Sequence, residues 1–555
     1  MATSPPPPPG PSSPSSIPCT LNGRYLNAKT SHPLTIKYIG PLPPNTTSAT
    51  TWFGVEYDDP ANGKGHDGVY RGEQVFRARQ AGAGAFIKYA PGVLLAGSTL
   101  VDAVQERYGP LVPGQEEAEV AASAPGADDV VLGSSNAAIV VEAPNLDGVR
   151  KRIGQLERRK EIGFEGEWVA SLGGSAEQRR VFKERLAGVR TLDLSRNLVS
   201  TWSEMADIVA HLTGLRSLIL NHSRTLCTPD LDDEQRAPLR QVFGNITELH
   251  LGNAALSWAE ALDIASVFPN LEVLFLNDNA LLSSLERRAD QDVAACLPKL
   301  KTLSLDNCPL GDWAAIGAEL VHLPSLEALN LSGVPVSTIP SPTSPPFIHL
   351  TRLVMSDSRL AAWRDIDELN QWTSGKLEHL RISFVPRDPA ASPVLISGDA
   401  RVDRSFLIAK LSSLTTLNGS QITYFERTDA ELYYLHAVDR IDGPKSEWGQ
   451  YDDLQRKHGQ AEKLAPVKPT NLKSKMMNIH VIPPSGETLT LRLLRTAQVA
   501  VLKKRVAKQM HLDAVAIFTA RPALFEGMWE PVEEMDEGVE LGMWLSDGDT
   551  VLAVV

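Results

Sequence analysis

The residues best suited to hold a ligand lie in one short stretch near the start of the chain. Residues Gly63–Gly68 read Gly-Lys-Gly-His-Asp-Gly. Glycine allows a loop to fold back at positive φ and brings the backbone close to a ligand. Lys64 and His66 can donate charge-assisted hydrogen bonds to a carboxylate. The stretch therefore predicts capture of an acidic peptide tail.

Aromatic and basic residues flank this stretch on both sides. Aromatic side chains can line a groove for an aromatic side chain of the ligand, and a second lysine can meet another carboxylate. The sequence also allows Trp52 and Phe86 to pack only in the domain's own core, and His66 to be an exposed loop residue. The residues predicted to bind the tail are Trp52, Phe53, Gly63, Lys64, His66, Asp67, Gly68, Phe86 and Lys88.

The elements that must position these residues form a small β-domain over residues 19–110. From Gly23 to Tyr89, clusters of Gly, Pro and Asn alternate with short β-type runs at Leu34–Ile39, Trp52–Tyr57, Gln74–Ala78 and Ala85–Tyr89. Residues 21–100 contain eight Lys or Arg and five Asp or Glu, a net charge of +3, whereas the whole chain carries −13. The basic part of this acidic chain is thus its N-terminal module, which suits an acidic ligand.

Bulk composition limits the class of protein. A chain of 555 residues with 43% hydrophobic content is too long for one core, so several domains are expected. Without a long apolar run or a signal-like start, we expect neither a membrane span nor secretion. The acidic net charge argues against nucleic acid as the main partner. Four scattered cysteines, without a CxxC pair, predict neither disulfides nor a zinc site and suit the reducing cytoplasm.

The middle of the chain repeats itself. Eight copies of a Leu-x-x-Leu-x-Leu pattern, some with Ile, Val or Met at a leucine position, begin at Val189, Leu215, Ile246, Leu271, Leu300, Leu326, Leu350 and Leu377. This pattern is the signature of leucine-rich repeats, in which each repeat supplies one short strand and needs its neighbours to close a core. It predicts an α/β leucine-rich-repeat solenoid over residues 149–440, including terminal caps. Asn197, Asn279 and Cys308 fall where such repeats satisfy the turning backbone, so Cys308 is expected to be structural.

Residues between the leucines of each strand face the concave side of such a solenoid. Candidate partner-binding residues on that face are Ile219, His250, Phe275, Val354 and Arg381. The apolar members predict either a binding stripe or residues chosen for strand propensity alone. The sequence leaves both interpretations open.

Four further segments complete the domain organisation. Residues 1–18 are a Pro/Ser-rich tail expected to be disordered, 111–148 an acidic flexible linker, and 441–474 a charged helix or linker. Residues 475–555 read strand, a turn at Ser485-Gly486, strand, helix and final strand, an order that resembles an α+β ubiquitin-like β-grasp domain. Since Val554 and Val555 replace a Gly-Gly end, we expect a docking fold that is not conjugated to other proteins.

Three spaced motifs of the first domain resemble the CAP-Gly family. They are Trp52–Glu56, Gly63–Gly68 and Gly84–Lys88, which correspond to WxGVE, GKNDG and a late GxFV-type strand. Two departures stand out: His66 replaces the usual Asn, and Gly65 is an extra residue. The resemblance implies that the ligand is the acidic tail of α-tubulin, which ends in Glu-Glu-Tyr.

The order of CAP-Gly domain, leucine-rich repeats and ubiquitin-like domain resembles the tubulin-folding cofactor E family. The resemblance implies a cytoplasmic, cytoskeleton-associated chaperone that binds α-tubulin and works with cofactors D, C and B in assembly and disassembly of the αβ-tubulin heterodimer. The alternative is a microtubule-binding adaptor that links tubulin tails to another partner such as the proteasome.

No P-loop, GxSxG or HExxH motif is present, so we expect neither an enzyme nor a cofactor.

Overall fold

The computed structural model describes residues 19–44, 50–112, 130–132, 139–141, 156–224, 233–343, 346–384, 395–397, 399–459, 476–483, 488–510, 515–522 and 529–554. The predicted tail 1–18, most of the acidic linker 111–148, and residues 460–474 of the charged segment lie outside the described residues. The chain divides into two compact units. The first contains residues 1–310 and 322–326, and the second residues 311–321 and 327–555.

The first unit opens with a five-stranded antiparallel sheet. Its strands in spatial order are Gly84–Lys88, Trp52–Tyr57, Pro33–Gly40, Arg24–Asn27 and Leu94–Leu95. A second, two-stranded ribbon pairs Val69–Tyr70 with Glu73–Gln74, and a 3-10 turn covers Pro60–Asn62. One face of the sheet closes the core around Tyr25, Leu34, Ile36, Phe53, Val55, Tyr57, Ala85 and Leu94. The loop-rich β-domain expected from the sequence is confirmed.

Two short elements follow that sheet. Strand Ser98–Thr99 pairs in parallel with strand Val169–Ser171, and helix Leu100–Tyr108 begins at the N-cap Thr99. Further along, strands Val130–Leu132 and Ile139–Val141 pair antiparallel within the segment predicted to be a flexible linker. Backbone hydrogen bonds thus connect strand Ser98–Thr99 to the first part of the repeat region.

The repeats of the first unit are parallel strands of three residues each. They are Glu161–Gly163, Thr191–Asp193, Ser217–Ile219, Glu248–His250, Val273–Phe275 and Thr302–Ser304. The register places Leu192, Leu218, Leu249, Leu274 and Leu303 side by side, and all are at most 1% exposed. The helices between the strands are Ala176–Arg185, Trp202–Ala210, Asp233–Val242, Trp258–Ala265 and Val293–Cys296. The predicted solenoid is confirmed, with one additional strand at Glu161.

Polar residues at the turns satisfy the bending backbone, as the sequence predicted. The Asn197 amide nitrogen donates to the carbonyl of Phe164 at 2.7 Å, and its oxygen accepts from the Val169 N–H at 2.8 Å. The Asn279 side chain is fully buried and makes equivalent bonds. Cys308 donates its thiol to the Leu276 carbonyl at 3.2 Å, and burial raises its pKa to about 11. Cys308 is therefore a structural residue.

The second unit continues with repeat strands and ends them with helices. Its strands are Ala328–Asn330, Arg352–Ser358, His379–Phe384, Thr416–Leu417 and Ser420–Gln421. Its helices are Trp313–Leu320, Trp363–Trp372, Ala400–Lys410, Tyr424–Asp439 and Tyr451–His458, with a 3-10 turn at Lys445–Glu447. Helix Tyr424–Asp439 packs on helix Ala400–Lys410 and covers the last repeat. It fills the role of the cap that an open solenoid end needs.

A buried ion pair fastens these last helices together. The Lys410 side chain is fully buried, and its Nζ lies 2.8 and 2.7 Å from the two carboxylate oxygens of Asp367. The same ammonium lies 5.5 Å from the Tyr434 ring centre and 5.3 Å from that of Trp448. Burial lowers the pKa of Lys410 and raises that of Asp367, and each partner opposes the shift of the other. Three helices and the loop that carries Trp448 thus meet at one desolvated charge.

The C-terminal part of the second unit is a five-stranded sheet packed on a helix. Its strands in spatial order are Leu489–Leu494, Met476–Ile482, Thr550–Val554, Ala516–Pro522 and Trp529–Glu534. The central pair, Met476–Ile482 and Thr550–Val554, is parallel, and the neighbouring pairs are antiparallel. Helix Val499–Met510 packs Leu502 and Val506 into the core, and helix Leu541–Trp544 follows strand Trp529–Glu534 along the chain. The turn predicted at Ser485 lies outside the described residues.

No helix among the described residues has both the length and the apolar character needed to cross a bilayer.

We predict that Lys410→Met destabilises the second unit by about 3 kcal/mol, because it leaves the Asp367 carboxylate buried without its cation. The double variant Lys410→Met/Asp367→Leu recovers most of that loss, since no unpaired charge remains. Thermal unfolding followed by tryptophan fluorescence measures both effects. Lys504→Met, at an exposed lysine of helix Val499–Met510, is the matched control and leaves the transition unchanged. A double variant as unstable as the single one would contradict this account.

Candidate peptide-tail site

An aromatic cluster centred on Phe86 forms the middle of the predicted site. The Phe86 ring stacks on the His66 ring with centres 5.3 Å apart, and it meets Tyr70 and Phe76 edge to face at 5.5 and 5.4 Å. Phe86, His66 and Tyr70 are half-buried, whereas Phe76 is buried. The cluster thus presents an aromatic surface to solvent and rests on a buried ring.

Strand pairing explains why these rings meet. Side chains two residues apart on a strand share a face, so Trp52 and Gly54 lie on the same side of the sheet. Across the strand pair, Phe86 lies opposite Gly54 and Lys88 lies opposite Trp52. A Cβ at Gly54 would lie 2.5 Å from the Phe76 ring, so only glycine leaves room for that ring. The structure therefore brings Trp52, Phe86 and Lys88 to one face.

Phe53 lies on the opposite face of the sheet from the other predicted binding residues. Its side chain is 2% exposed and belongs to the core that contains Leu34 and Ile36. Because strand residues alternate between faces, the neighbour of Trp52 must point inward. Phe53 supports the sheet from below and is not part of the solvent-facing site.

The glycine-rich loop is tightly packed where it begins, whereas its tip has free space around it. A Cβ on Gly63 would lie 2.0 Å from the Gly82 carbonyl oxygen, so no larger residue fits there. The N–H groups of Lys64 and Gly65 donate to the carbonyls of Gly84 and Gly82 at 2.9 and 3.2 Å. A Cβ on Gly65 would meet no atom within 4 Å, although its φ of +72° favours glycine. The extra residue of the motif therefore lies at the tip and leaves these closing bonds in place.

The His66 side chain organises the loop from inside. Its Nδ1 accepts a hydrogen bond from the Gly68 N–H at 3.0 Å, and its backbone carbonyl accepts from the Gly84 N–H at 2.8 Å. Because Nδ1 is an acceptor, the proton of the neutral ring lies on Nε2. Nε2 can then donate to a ligand carboxylate while the ring stays stacked on Phe86.

Exposed cations are neighbours, along the chain, of the residues that form the aromatic cluster. Lys64, Lys88 and Arg71 are exposed, and among the described residues no carboxylate forms an ion pair with either lysine. Asp67, the acidic member of the motif, is exposed, and its backbone carbonyl accepts from the Ala78 N–H at 2.9 Å. The two lysine ammonium groups are thus available to an acidic ligand, while Asp67 also contributes main-chain bonding.

Two members of the cluster were missed in the sequence. Tyr70 follows the glycine motif by two residues, and Phe76 lies in a segment expected to be a strand from Gln74 to Ala78, of which only Gln74 is in a strand. The sequence contains only a weak indication of their role, which is that both are aromatic residues close to a glycine-rich loop. Only the three-dimensional pairing shows that they meet Phe86.

The candidate concave residues fall into two groups, one in each unit. In the first unit, register places Ile219, His250 and Phe275 side by side on neighbouring strands. The His250 ring stacks on Phe275 at 4.2 Å, and its Nε2 lies 2.6 Å from a Glu248 carboxylate oxygen. In the second unit, Val354 pairs with Arg381. Their role in binding a partner stays a prediction.

The chain is similar in sequence to known proteins, both over its first domain and over most of its length. The family model of the CAP-Gly domain matches residues 22–91. The chain is 30% identical over 453 residues to tubulin-specific chaperone E of Bos taurus, covering 80% of this chain and 76% of that protein. It is 26% identical over 542 residues to tubulin-folding cofactor E of Arabidopsis thaliana, covering 93% and 94%. A solved complex of Latrophilin 3, Unc5D and FLRT2 (LRR) contains a chain that overlaps 53% of this one at 18% identity and a TM-score of 0.29.

The fold and site define a leucine-rich-repeat protein that carries an N-terminal CAP-Gly domain. By its similarity along most of its length, the chain belongs to the tubulin-specific chaperone E family.

Two glycine substitutions separate space from backbone conformation in the loop. Gly63 has a φ of −70°, which alanine adopts freely. Gly63→Ala therefore destabilises the loop only because the new Cβ collides with the Gly82 carbonyl oxygen. We expect it to lower the unfolding free energy of the domain by about 1–3 kcal/mol.

At position 65 there is space for a side chain, but the φ is positive. We expect Gly65→Ala to lower the unfolding free energy by about 1 kcal/mol, and Gly65→Asn to lower it much less, because Asn tolerates that conformation. Thermal unfolding of the three variants tests this, and equal effects of Ala and Asn at position 65 would contradict it.

Proposed function

We propose that this chain is a tubulin-folding cofactor that binds α-tubulin by its acidic C-terminal tail. It then takes part, in the cytoplasm, in assembly and disassembly of the αβ-tubulin heterodimer together with cofactors D, C and B. The observation that carries the proposal is the Phe86-centred aromatic surface flanked by the exposed ammonium groups of Lys64 and Lys88. The names of the relatives, tubulin-specific chaperone and tubulin-folding cofactor, support the same function.

The chemistry of the site matches a tail that ends in Glu-Glu-Tyr. An aromatic side chain of the tail stacks on the exposed part of the Phe86 cluster, which adds to the apolar area removed from water. The tail carboxylates meet Lys64, Lys88 and the Nε2 donor of His66. The proposal needs binding only and assigns this chain no catalytic residue and no cofactor.

The C-terminal sheet completes the proposed organisation as a ubiquitin-like β-grasp domain. The parallel central pair, formed by the first and last strands, and the helix packed on one face of the sheet support this assignment. The strands Ala516–Pro522 and Trp529–Glu534 supply the other half of the sheet. This domain serves as a docking fold within the cofactor.

The function is tested by the affinity of the full chain for an α-tubulin tail peptide. We expect Lys64→Ala to weaken binding about three- to tenfold, because it removes a charge-assisted contact at an exposed site. Lys29→Ala, at an exposed lysine of the same domain outside the site, is the matched control for lost charge. Fluorescence anisotropy at low and moderate salt measures both affinities, and salt reduces the difference by screening.

Removal of the terminal tyrosine from the peptide provides the complementary arm. It takes away the aromatic group that the Phe86 cluster receives, so affinity falls for the unaltered chain. Equal affinity of the full and shortened peptides, together with no effect of Lys64→Ala, would rule out this site as the tail-binding element.

A further inference from the structure

One segment connects the tail site to the leucine-rich repeats. We call residues 74–80 the bracing segment. The Ala78 N–H donates to the carbonyl of Asp67 at 2.9 Å, which joins the segment to the glycine-rich loop. The segment also carries Phe76, the buried ring beneath Phe86. The position of the bracing segment therefore sets the position of both the loop and the aromatic cluster.

Arg79 links the bracing segment to the CAP-Gly sheet through its backbone and to the leucine-rich repeats through its side chain. Its backbone N–H donates to a carboxylate oxygen of Glu56, within the CAP-Gly sheet, at 2.8 Å. Its guanidinium leaves that domain, donates to the Ala255 carbonyl at 3.2 Å and forms an ion pair with Glu260. The Arg79 and Glu260 side chains are only 22% and 18% exposed, so water screens the pair weakly.

Glu260 is held in place before it meets Arg79. It is the third residue of helix Trp258–Ala265, and its Oε2 accepts from the N–H and hydroxyl of the N-cap Ser257 at 3.0 and 2.9 Å. Its other oxygen, Oε1, is the one that pairs with Arg79. Because the capping box already fixes the carboxylate, little side-chain entropy is lost when the pair forms.

A separate set of contacts docks the CAP-Gly domain on the repeats. The buried Arg24 guanidinium binds both carboxylate oxygens of Asp58 and donates to the Asn197 carbonyl at 3.3 Å. Arg224, from the repeats, donates to the Asp58 carbonyl at 2.9 Å. These contacts do not involve the bracing segment. Loss of the Arg79–Glu260 pair therefore weakens the link between that segment and the repeats, while the docking contacts and the backbone bonds to Glu56 remain.

We propose that Glu260, a residue of the leucine-rich repeats, is a positioning residue for tail recognition, because through Arg79 it holds the bracing segment in the conformation that binds the tail. The inference rests on the proposed function of the Phe86-centred site. Without the pair, the segment spends only part of its time in that conformation, and the apparent affinity falls by the same fraction.

The test is a double-mutant cycle in the full chain, read out as affinity for the acidic tail peptide. Glu260→Gln keeps the capping box, since Gln also serves at that position, but it removes the charge opposite Arg79. We expect Glu260→Gln and Arg79→Ala each to weaken binding about two- to fivefold, the range of a partly exposed ion pair, and the double variant to be no weaker than Arg79→Ala. Arg79→Lys keeps the ion pair and restores most of the affinity.

Matched controls separate positioning from net charge. Arg77→Ala removes a neighbouring exposed cation of the same segment and reports the effect of lost charge alone. Removal of the negative charge of Glu260 would, by electrostatics alone, strengthen binding of an acidic peptide. The proposal requires the opposite sign, whereas Glu272→Gln, elsewhere on the repeats, leaves binding unchanged or slightly tighter.

The outcomes distinguish the two levels of inference. Tail binding by the unaltered chain, with affinity unchanged or tighter in Glu260→Gln, overturns the positioning role and leaves the proposed function intact. Additive losses in the double variant likewise refute coupling through the ion pair. Absence of tail binding by the unaltered chain overturns the proposed function itself, and the positioning role with it.

Discussion

A strand of three residues cannot bury its own leucine, and the architecture of the repeat region follows from this constraint. Leu218 and Leu249 are nearly inaccessible to water only because neighbouring strands lie in register beside them. The solenoid must therefore continue until something else covers its ends. Helix Leu100–Tyr108 with strand Val169–Ser171 flanks the first repeats of the first unit, and helix Tyr424–Asp439 covers the last strands of the second. The elements that flank the repeats are thus needed because the first and last strands lack a neighbouring repeat to cover their leucines.

The turns that end the repeat strands also provide a place where the CAP-Gly domain attaches. These turns expose backbone carbonyls and short polar side chains, among them the Asn197 carbonyl and the Asn253 amide oxygen. Arginine suits such acceptors because its planar guanidinium donates several hydrogen bonds at once. Arg24 and Arg79 of the CAP-Gly domain donate to such acceptors, whereas Arg224, from the repeats, donates to the Asp58 carbonyl of that domain. Burial lowers the pKa of Arg224, which reflects the desolvation that the neighbouring Asp58 partly offsets.

Sequence reasoning recovers the elements better than it recovers their contacts. The repeat pattern locates all eight strands that it predicts because leucine spacing reflects local geometry directly. Strand Trp52–Tyr57 has the bounds expected for it. Alternation along it places Trp52 and Phe53 on opposite faces, but it does not show which of them faces the core or that Phe76 occupies the space above Gly54. The pair between Arg79 and Glu260 joins residues 181 positions apart. No periodicity encodes such a pair, because it depends on how two domains meet.

The replacement of asparagine by His66 shows how the site tolerates its departure from the family pattern. An asparagine two residues before a glycine can accept that residue's N–H through its side-chain oxygen, which forms an Asx turn. The Nδ1 of histidine is separated from Cβ by the same number of bonds as that oxygen, and in this chain it accepts the Gly68 N–H. Histidine thus preserves the turn, and its larger ring also stacks on Phe86 and leaves Nε2 as a donor. The substitution changes the solvent-facing surface of the candidate site, while the loop that presents this surface is kept.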